Sequence, residues 1–275
     1  EPGCEILYPN PGFPIYESTI RFSGATPIPI PLREQNGFAF SAEEVLSKIN
    51  ERTRLIILNS PANPTGGVVP RGEFNALIDG LCEWPEVAIM SDEIYGQMLY
   101  DNREHVSLIR YPEITNRLIL LDGWSKTYAM TGWRLGYSVW PEKVAPHAEK
   151  LCVNIHSCVN SSAQFAGIAA LTGDQSPVKA MVSAFDERRT VIVNELNRIP
   201  GFSCIQPGGA FYAFPNITQT GLRSDELQKK ILEEAGVAVI SGTSFGEHGE
   251  GYLRFSYANS TENILKAVDL IKGCL

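Results

Sequence analysis

The chain has 275 residues, 44% of them hydrophobic and 20% charged, which is ordinary globular usage and excludes a largely disordered protein. Its 31 acidic and 23 basic residues give a formal charge of -8, which argues against a nucleic-acid or anionic-membrane surface. No apolar run reaches the length of a membrane span. The first residues, Glu1-Pro2-Gly3-Cys4, carry neither an initiating Met nor a signal-peptide pattern and read as the interior of a longer protein. The next stretch, Tyr8-Pro9-Asn10-Pro11-Gly12-Phe13-Pro14 and then Pro27, Pro29 and Pro31, reads as turns and short extended pieces, because proline at this density excludes helix. The spacing predicts a helix over Ser41–Asn50, opened by a capping box between Ser41 and Glu44. Leu55–Leu58 is an unbroken apolar run, as in a strand covered on both faces. A helix from Arg71 to Cys82 comes next, then strands over Val87–Met90 and Leu118–Leu121.

Strand and helix in alternation predict an α/β sheet with crossover connections. Ligands in such sheets sit beyond the carboxyl ends of the strands. Polar residues come after each predicted strand: Asn63, then Asp92, then Ser125 and Lys126. The second half changes character. Val178, Met181, Val182, Phe185, Ile192, Leu196 and Ile199 form a helical stripe that ends at Pro200-Gly201. Beyond it come short strands and two helices, Asp225–Ala235, capped by Ser224 and closed by Gly236, and Thr261–Lys272. This α+β pattern places a large domain over 1–180 and a smaller C-terminal domain over 181–275, bridged by the long helix. The six scattered cysteines form no C-x-x-C pair, and the four histidines show no metal-ligand spacing. His156 between Cys152 and Cys158 reads as helix packing. The expectation is free thiols, a reducing cytoplasmic compartment and no metal.

Three segments carry chemistry. Lys126 is flanked by Trp124, Tyr128, Met130 and Trp133. An isolated lysine is ordinarily a solvated or snorkelling side chain. One held near apolar surface loses its proton more easily, and a neutral amine attacks carbonyls. Arg134, eight residues on, is a fixed cation suited to bidentate phosphate binding. Asp92 is either a cap for the next helix or a carboxylate that keeps a ring nitrogen protonated. Tyr95, three residues later, presents a hydroxyl to the same place. Asn63 lies in a proline- and glycine-rich turn that aims its amide.

With Asn-Pro-Thr-Gly at 63–66, Asp-Glu-Ile-Tyr at 92–95, Ser-Lys and then Gly-Trp-Arg-Leu-Gly within 125–136, and Tyr-Leu-Arg-Phe-Ser at 252–256, the chain resembles the class I/II aminotransferases. These are the fold-type I, aspartate-aminotransferase-like enzymes that depend on pyridoxal phosphate. The resemblance runs from Tyr8 to the last helix, and the joint order of the motifs carries it. It implies a three-layer large domain with a mostly parallel sheet, a small α+β domain, a homodimer, and amino-acid and 2-oxo-acid substrates. By the same resemblance Lys126 holds the cofactor as a Schiff base and shuttles the proton. Asp92 pairs with the pyridine nitrogen. Asn63 and Tyr95 contact the phenolic oxygen, and Asn63 also borders the substrate. Ser125 and Arg134 hold the phosphate, Phe13 stacks on the ring, and Arg254 binds the substrate carboxylate.

Gly123 stands where many members have a second phosphate-binding serine. The family's N-terminal segment, which carries a further phosphate-binding turn and residues for the partner's site, does not precede Glu1, so the large domain reads as incomplete. Gly242, Gly246, Gly249 and Gly251 read as a connecting loop that delivers Arg254. Pro207–Tyr212 reads as a turn into a strand; the resemblance places this stretch near the substrate, which implies a supporting role for Tyr212. On spacing alone Arg254 also fits an ion pair with Glu247 or Glu250. The shared motifs leave a β-lyase and a non-catalytic ligand-sensing module as alternatives to amino transfer.

Overall fold

The computed structural model describes residues 1–275 and resolves the proline-rich start into two strands and a helix. Strand β1 (Glu5–Asn10) pairs in parallel with β2 (Thr26–Pro31), which forms the sheet edge. Alternate N–H groups of a strand point to opposite sides. Those of Thr26 and Leu32 donate to the Cys4 and Asn10 carbonyls, both at 2.8 Å. Pro27, Pro29 and Pro31 therefore fall where the missing N–H would face outward, and no ladder bond is lost. The expectation of no helix is corrected between Pro14 and Pro27. There α1 (Ile15–Phe22) starts directly after Pro14 and buries Tyr16 and Ile20. Proline ahead of a helix costs nothing, because the first N–H groups have no intrahelical partner.

The sheet continues through β3 (Thr53–Asn59), β4 (Ala88–Asp92), β5 (Leu118–Gly123) and β6 (Gly136–Val139), in the order β2-β1-β3-β4-β5-β6; all pairs are parallel except β5 with β6. Helix α2 (Ala42–Ser47) is shorter than expected, and only half of its capping box forms. Ser41 accepts from the Glu44 N–H at 3.4 Å, but the Glu44 carboxylate turns to Arg33. Helix α3 spans Arg71–Gly80. Leu7, Ile56, Leu77 and Ile89 are fully buried where it packs on the sheet.

After the four-residue helix α4 (Trp124–Thr127) come α5 (Ala145–His156) and α6 (Ser161–Thr172). The sequence predicts helix here only around His156, and the packing expected of it is corrected: α5 buries no residue, and Cys152, His156 and Cys158 are exposed. Helix α6 is not anticipated. The apolar residues of α6 lie all round the helix, so no stripe reveals it. Helix α7 (Ser176–Leu196) is continuous across residue 181. A second, antiparallel sheet has the order β7-β9-β8, from Tyr212–Ala213, Leu253–Ser256 and Ile240–Ser241. Helix α8 (Ser224–Lys230) runs into a π turn over 231–235 and closes at Gly236, φ 64°. Its cap is Arg223; the buried Ser224 hydroxyl instead accepts from the N–H groups of Gly251 and Tyr252 at 2.8 and 3.2 Å. Helix α9 spans Thr261–Cys274. The C-terminal core of α7, α9 and β9 also buries Tyr95, Met98 and Tyr100 from the first half. Arg189 of α7 locks that junction by donating to both Asp101 oxygens, at 2.9 and 2.7 Å, and to the Pro207 carbonyl at 2.8 Å.

Candidate active site

The carboxyl ends of β3, β4 and β5 meet in register, with Asn59 beside Asp92 and Asp92 beside Leu121. Asn59 ties two of them to the next turn. Its amide nitrogen donates to the Asp92 carbonyl, and its oxygen accepts from the Asn63 N–H, both at 3.0 Å. This fixes the turn that carries Asn63. Gly66, at φ 67°, lets the turn reverse, and a Cβ there would lie 2.4 Å from Pro207. The Gly66 carbonyl accepts from Gly208 and Gly209, at 2.9 and 3.0 Å, so the turn in Asn-Pro-Thr-Gly also supports the segment leading into β7.

Lys126 leaves β5 through α4. Gly123 is a glycine here for a backbone reason: a Cβ would sit 2.9 Å from the Gly136 Cα and 3.0 Å from the Leu135 oxygen across the β5–β6 pair. Trp124 anchors α4 by donating to the Gly167 carbonyl of α6 at 3.0 Å. The Lys126 amine lies 5.5 Å from the centroid of the Phe211 ring and 5.9 Å from that of Tyr95. Partial burial lowers its pKa, and the Arg254 and Arg134 cations push in the same direction.

Asp92 faces the cleft from the end of β4. Its carboxylate accepts from the Tyr16 hydroxyl at 2.5 Å and from the Ile94 N–H at 3.3 Å. Burial raises its pKa against those two donors. Tyr95 is buried, and its hydroxyl pairs with that of Tyr212 at 2.9 Å. Phe13 is 42% exposed at the mouth and meets Tyr16 edge-on at 5.8 Å.

Arg254 comes from β9, delivered by the loop of short 3₁₀ turns over 242–249. Its guanidinium is 4.7 Å from the Tyr212 ring centroid and 4.9 Å from that of Phe245, and it donates to the Asn63 amide oxygen at 3.0 Å. No carboxylate of the chain pairs with it. Glu250 accepts from the Ser224 N–H at 3.0 Å, and Glu247 stands 3.8 Å from His248. The Arg254 Nε is buried without a partner. Arg134 adopts a left-handed backbone, φ 55°, and donates to the Thr131 carbonyl at 2.9 Å.

One cleft of 440 Å³ is lined by all eight residues singled out from the sequence: Phe13, Asn63, Asp92, Tyr95, Ser125, Lys126, Arg134 and Arg254. Tyr16, Asn59 and Tyr212 line it too. Tyr16, in the first turn of α1, comes three residues after Phe13, whose carbonyl its N–H reaches at 3.0 Å, a turn that the exclusion of helix there hid. A larger cavity, 1150 Å³, lies beyond Arg134 against α5 and the α5–α6 connection. It gathers no comparable set of opposed charges, so size and chemistry point to different places, and chemistry decides.

The sequence profile of "Aminotransferase class I and II" matches residues 1–271. The chain belongs to the class I and II aminotransferases. It is 41% identical over 278 residues to an aspartate aminotransferase of Pyrococcus horikoshii, covering 100% of this chain and 70% of that one. It is 35% identical to aromatic-amino-acid aminotransferase 2 of Thermococcus litoralis, covering 98% and 70%. The crystal structure of an aromatic aminotransferase from Pyrococcus horikoshii superposes with a TM-score of 0.95 at 34% identity, covering 99% and 73%. The fold expected of the family, a mostly parallel α/β sheet with a small antiparallel one, is the fold observed. This aminotransferase uses pyridoxal phosphate and acts on amino and 2-oxo acids.

Proposed function

We propose that this cleft transfers an amino group from an amino acid to a 2-oxo acid, and that the eight residues divide the work among them. The observation that supports this most is Arg254, a cation held between two rings and Asn63 with no carboxylate of its own. It opposes an amine of lowered pKa and a buried carboxylate in one cleft. Pyridoxal phosphate suits this donor set, with its anionic phosphate, its basic ring nitrogen and the carboxylate of its substrate. The unpartnered Arg254 Nε is a donor waiting for an anion. When bound, the cofactor supplies an electron-withdrawing ring that takes up the electron pair released at the substrate Cα.

The chain's residues do the rest. The Lys126 amine anchors the cofactor and then takes the proton from the substrate Cα, a role that its lowered pKa favours. Asp92, held by Tyr16 and the Ile94 N–H, keeps its charge against the ring nitrogen once that cation offsets burial. Tyr95 and Asn63 direct hydrogen-bond donors to the phenolic oxygen. Ser125 and Arg134 hold the phosphate, and Phe13 covers the ring. Arg254 orients the substrate through a planar, two-pronged grip on its carboxylate. The large cofactor-binding domain spans 1–180 and the small one 181–275. The enzyme is a cytoplasmic homodimer; support comes from its free cysteines and from the apolar side chains exposed on β6, α5 and α6, among them Tyr137, Ile155 and Phe165. No helix is long and apolar enough to cross a membrane.

Borohydride reduction of the cofactor-loaded protein and subsequent peptide mapping test the central assignment. The pyridoxyl group is expected on Lys126. Label on Lys143 or Lys150, both exposed, would overturn it. A screen of amino donors against several 2-oxo acids, with ammonia release measured in parallel, distinguishes transfer from elimination.

A further inference from the structure

Tyr212 has so far only a supporting place near the substrate, yet it touches two of the residues that hold the roles above. Its ring carries the Arg254 guanidinium at 4.7 Å, and its hydroxyl lies 2.9 Å from that of Tyr95. It is 6% exposed, and Phe211 packs against it at 4.7 Å between ring centroids. Tyr212 is therefore fixed, and the Tyr95 hydroxyl has no side-chain partner other than Tyr212. Each hydroxyl owns one hydrogen and can also accept. If Tyr95 directs its hydrogen to the anionic phenolic oxygen of the cofactor, the contact between the two tyrosines is filled only by the Tyr212 hydrogen. The Arg254 cation over the Tyr212 ring draws electron density from that phenol and makes it the better donor of the two.

We infer that Tyr212 is a positioning residue of the amino-transfer site: it donates to the Tyr95 oxygen, turns the Tyr95 hydrogen toward the cofactor, and backs Arg254 with its ring. It thereby links the carboxylate-binding end of the cleft to the phenol-binding end. This rests on the roles proposed for Tyr95 and Arg254. It predicts two separable functions, one for the hydroxyl and one for the ring.

The test uses the cofactor-loaded enzyme and reads the pH midpoint of the cofactor's visible absorption change alongside steady-state kinetics. A donor to the phenolic oxygen stabilises its anion and lowers that midpoint, so weakening the donor raises it. Tyr212→Phe should raise the midpoint by about half a pH unit and change KM by less than about two-fold, since the ring remains. Tyr212→Leu should raise KM about five-fold as well, through loss of the cation–ring contact. Tyr95→Phe should raise the midpoint more, and Tyr95→Phe combined with Tyr212→Phe no further, because Tyr212 acts through Tyr95. A merely structural Tyr212 would lower thermal stability in Tyr212→Phe and leave the midpoint unmoved, which overturns the inference. So does a Tyr212→Phe shift that adds in full to that of Tyr95→Phe. A Tyr95→Phe variant with an unchanged midpoint instead removes the role of Tyr95 on which the inference stands.

Discussion

Asp92 and Glu93 are adjacent carboxylates at the end of one strand, and the protein treats them in opposite ways. Glu93 points away from the cleft and is fully used. It accepts from Ser91 at 2.9 Å and from the Leu108 N–H at 3.0 Å, and it lies 2.7 Å from the His105 ring nitrogen. Burial pushes its pKa up, but His105, Leu108 and Ser107 outweigh burial and hold it below the usual carboxylate value. Asp92 points into the cleft, and burial prevails there, so its pKa is raised. The brace side satisfies its charge at once; the cleft side keeps charge in want of a partner. Arg254, with its unpartnered Nε, and Lys126, with its lowered pKa, share the cleft pattern. Unmet polar capacity costs stability, and in the cleft it falls where a cofactor and a substrate would meet it; the other buried side-chain atoms without a partner, Asp186 Oδ1 and Arg189 Nε, lie on α7.

Four substitutions bear on this contrast. Lys126→Ala should lower kcat on the order of 10^5-fold, because no second amine lines the cleft. Retained turnover would break the assignment of the cleft. Asp92→Asn should lower kcat roughly 10^3-fold by removing the anion opposite the ring nitrogen. The same change should stabilise the cofactor-free protein at neutral pH by about 1 kcal/mol, since a buried, incompletely paired charge is gone. Chemical denaturation with and without cofactor measures both arms, and a cofactor-free variant less stable than wild type would erase the difference between the two carboxylates. Arg254→Lys should raise KM about 100-fold for every amino and 2-oxo acid, since lysine lacks the planar fork. An effect confined to dicarboxylic substrates would place Arg254 at the side-chain pocket.

Glu93→Gln should do the reverse of Asp92→Asn: kcat within about ten-fold of wild type and a stability loss of about 2 kcal/mol. The pH dependences should differ in sign. Glu93 has a folded pKa below its ordinary 4.5, so its contribution is present above that value and is lost as pH falls through the folded pKa. Asp92 has a folded pKa above its ordinary 3.8. Its charge therefore weighs against the cofactor-free fold as pH rises through the window above that value. Stability measured against pH for the two variants should converge on wild type at low pH and diverge in opposite directions as pH rises through the carboxylate range, Glu93→Gln below wild type and Asp92→Asn above it; curves that diverge in the same direction would refute the contrast.

The sequence by itself determined the parts that depend on local pattern. The apolar runs at 55–58, 87–90 and 118–121 marked buried parallel strands, because both faces of such strands are covered, and the polar residues behind them marked the site. Position 254 was legible as an arginine alternating with Leu253 and Phe255. The tertiary structure decided what that pattern left open. It gave Arg254 no acidic partner, although Glu247 and Glu250 lie close in sequence, because Glu250 is spent on the Ser224 N–H. It placed helix α1 between prolines and so brought Tyr16 to Asp92, across 76 residues of chain. It made Gly123 a matter of backbone clearance against Gly136. It set Tyr212 against Tyr95 across 117 residues. Local propensity reaches only a few residues along the chain, whereas these contacts are fixed by how α1 and β6 pack within the first sheet and by how the second sheet docks beyond its strand ends.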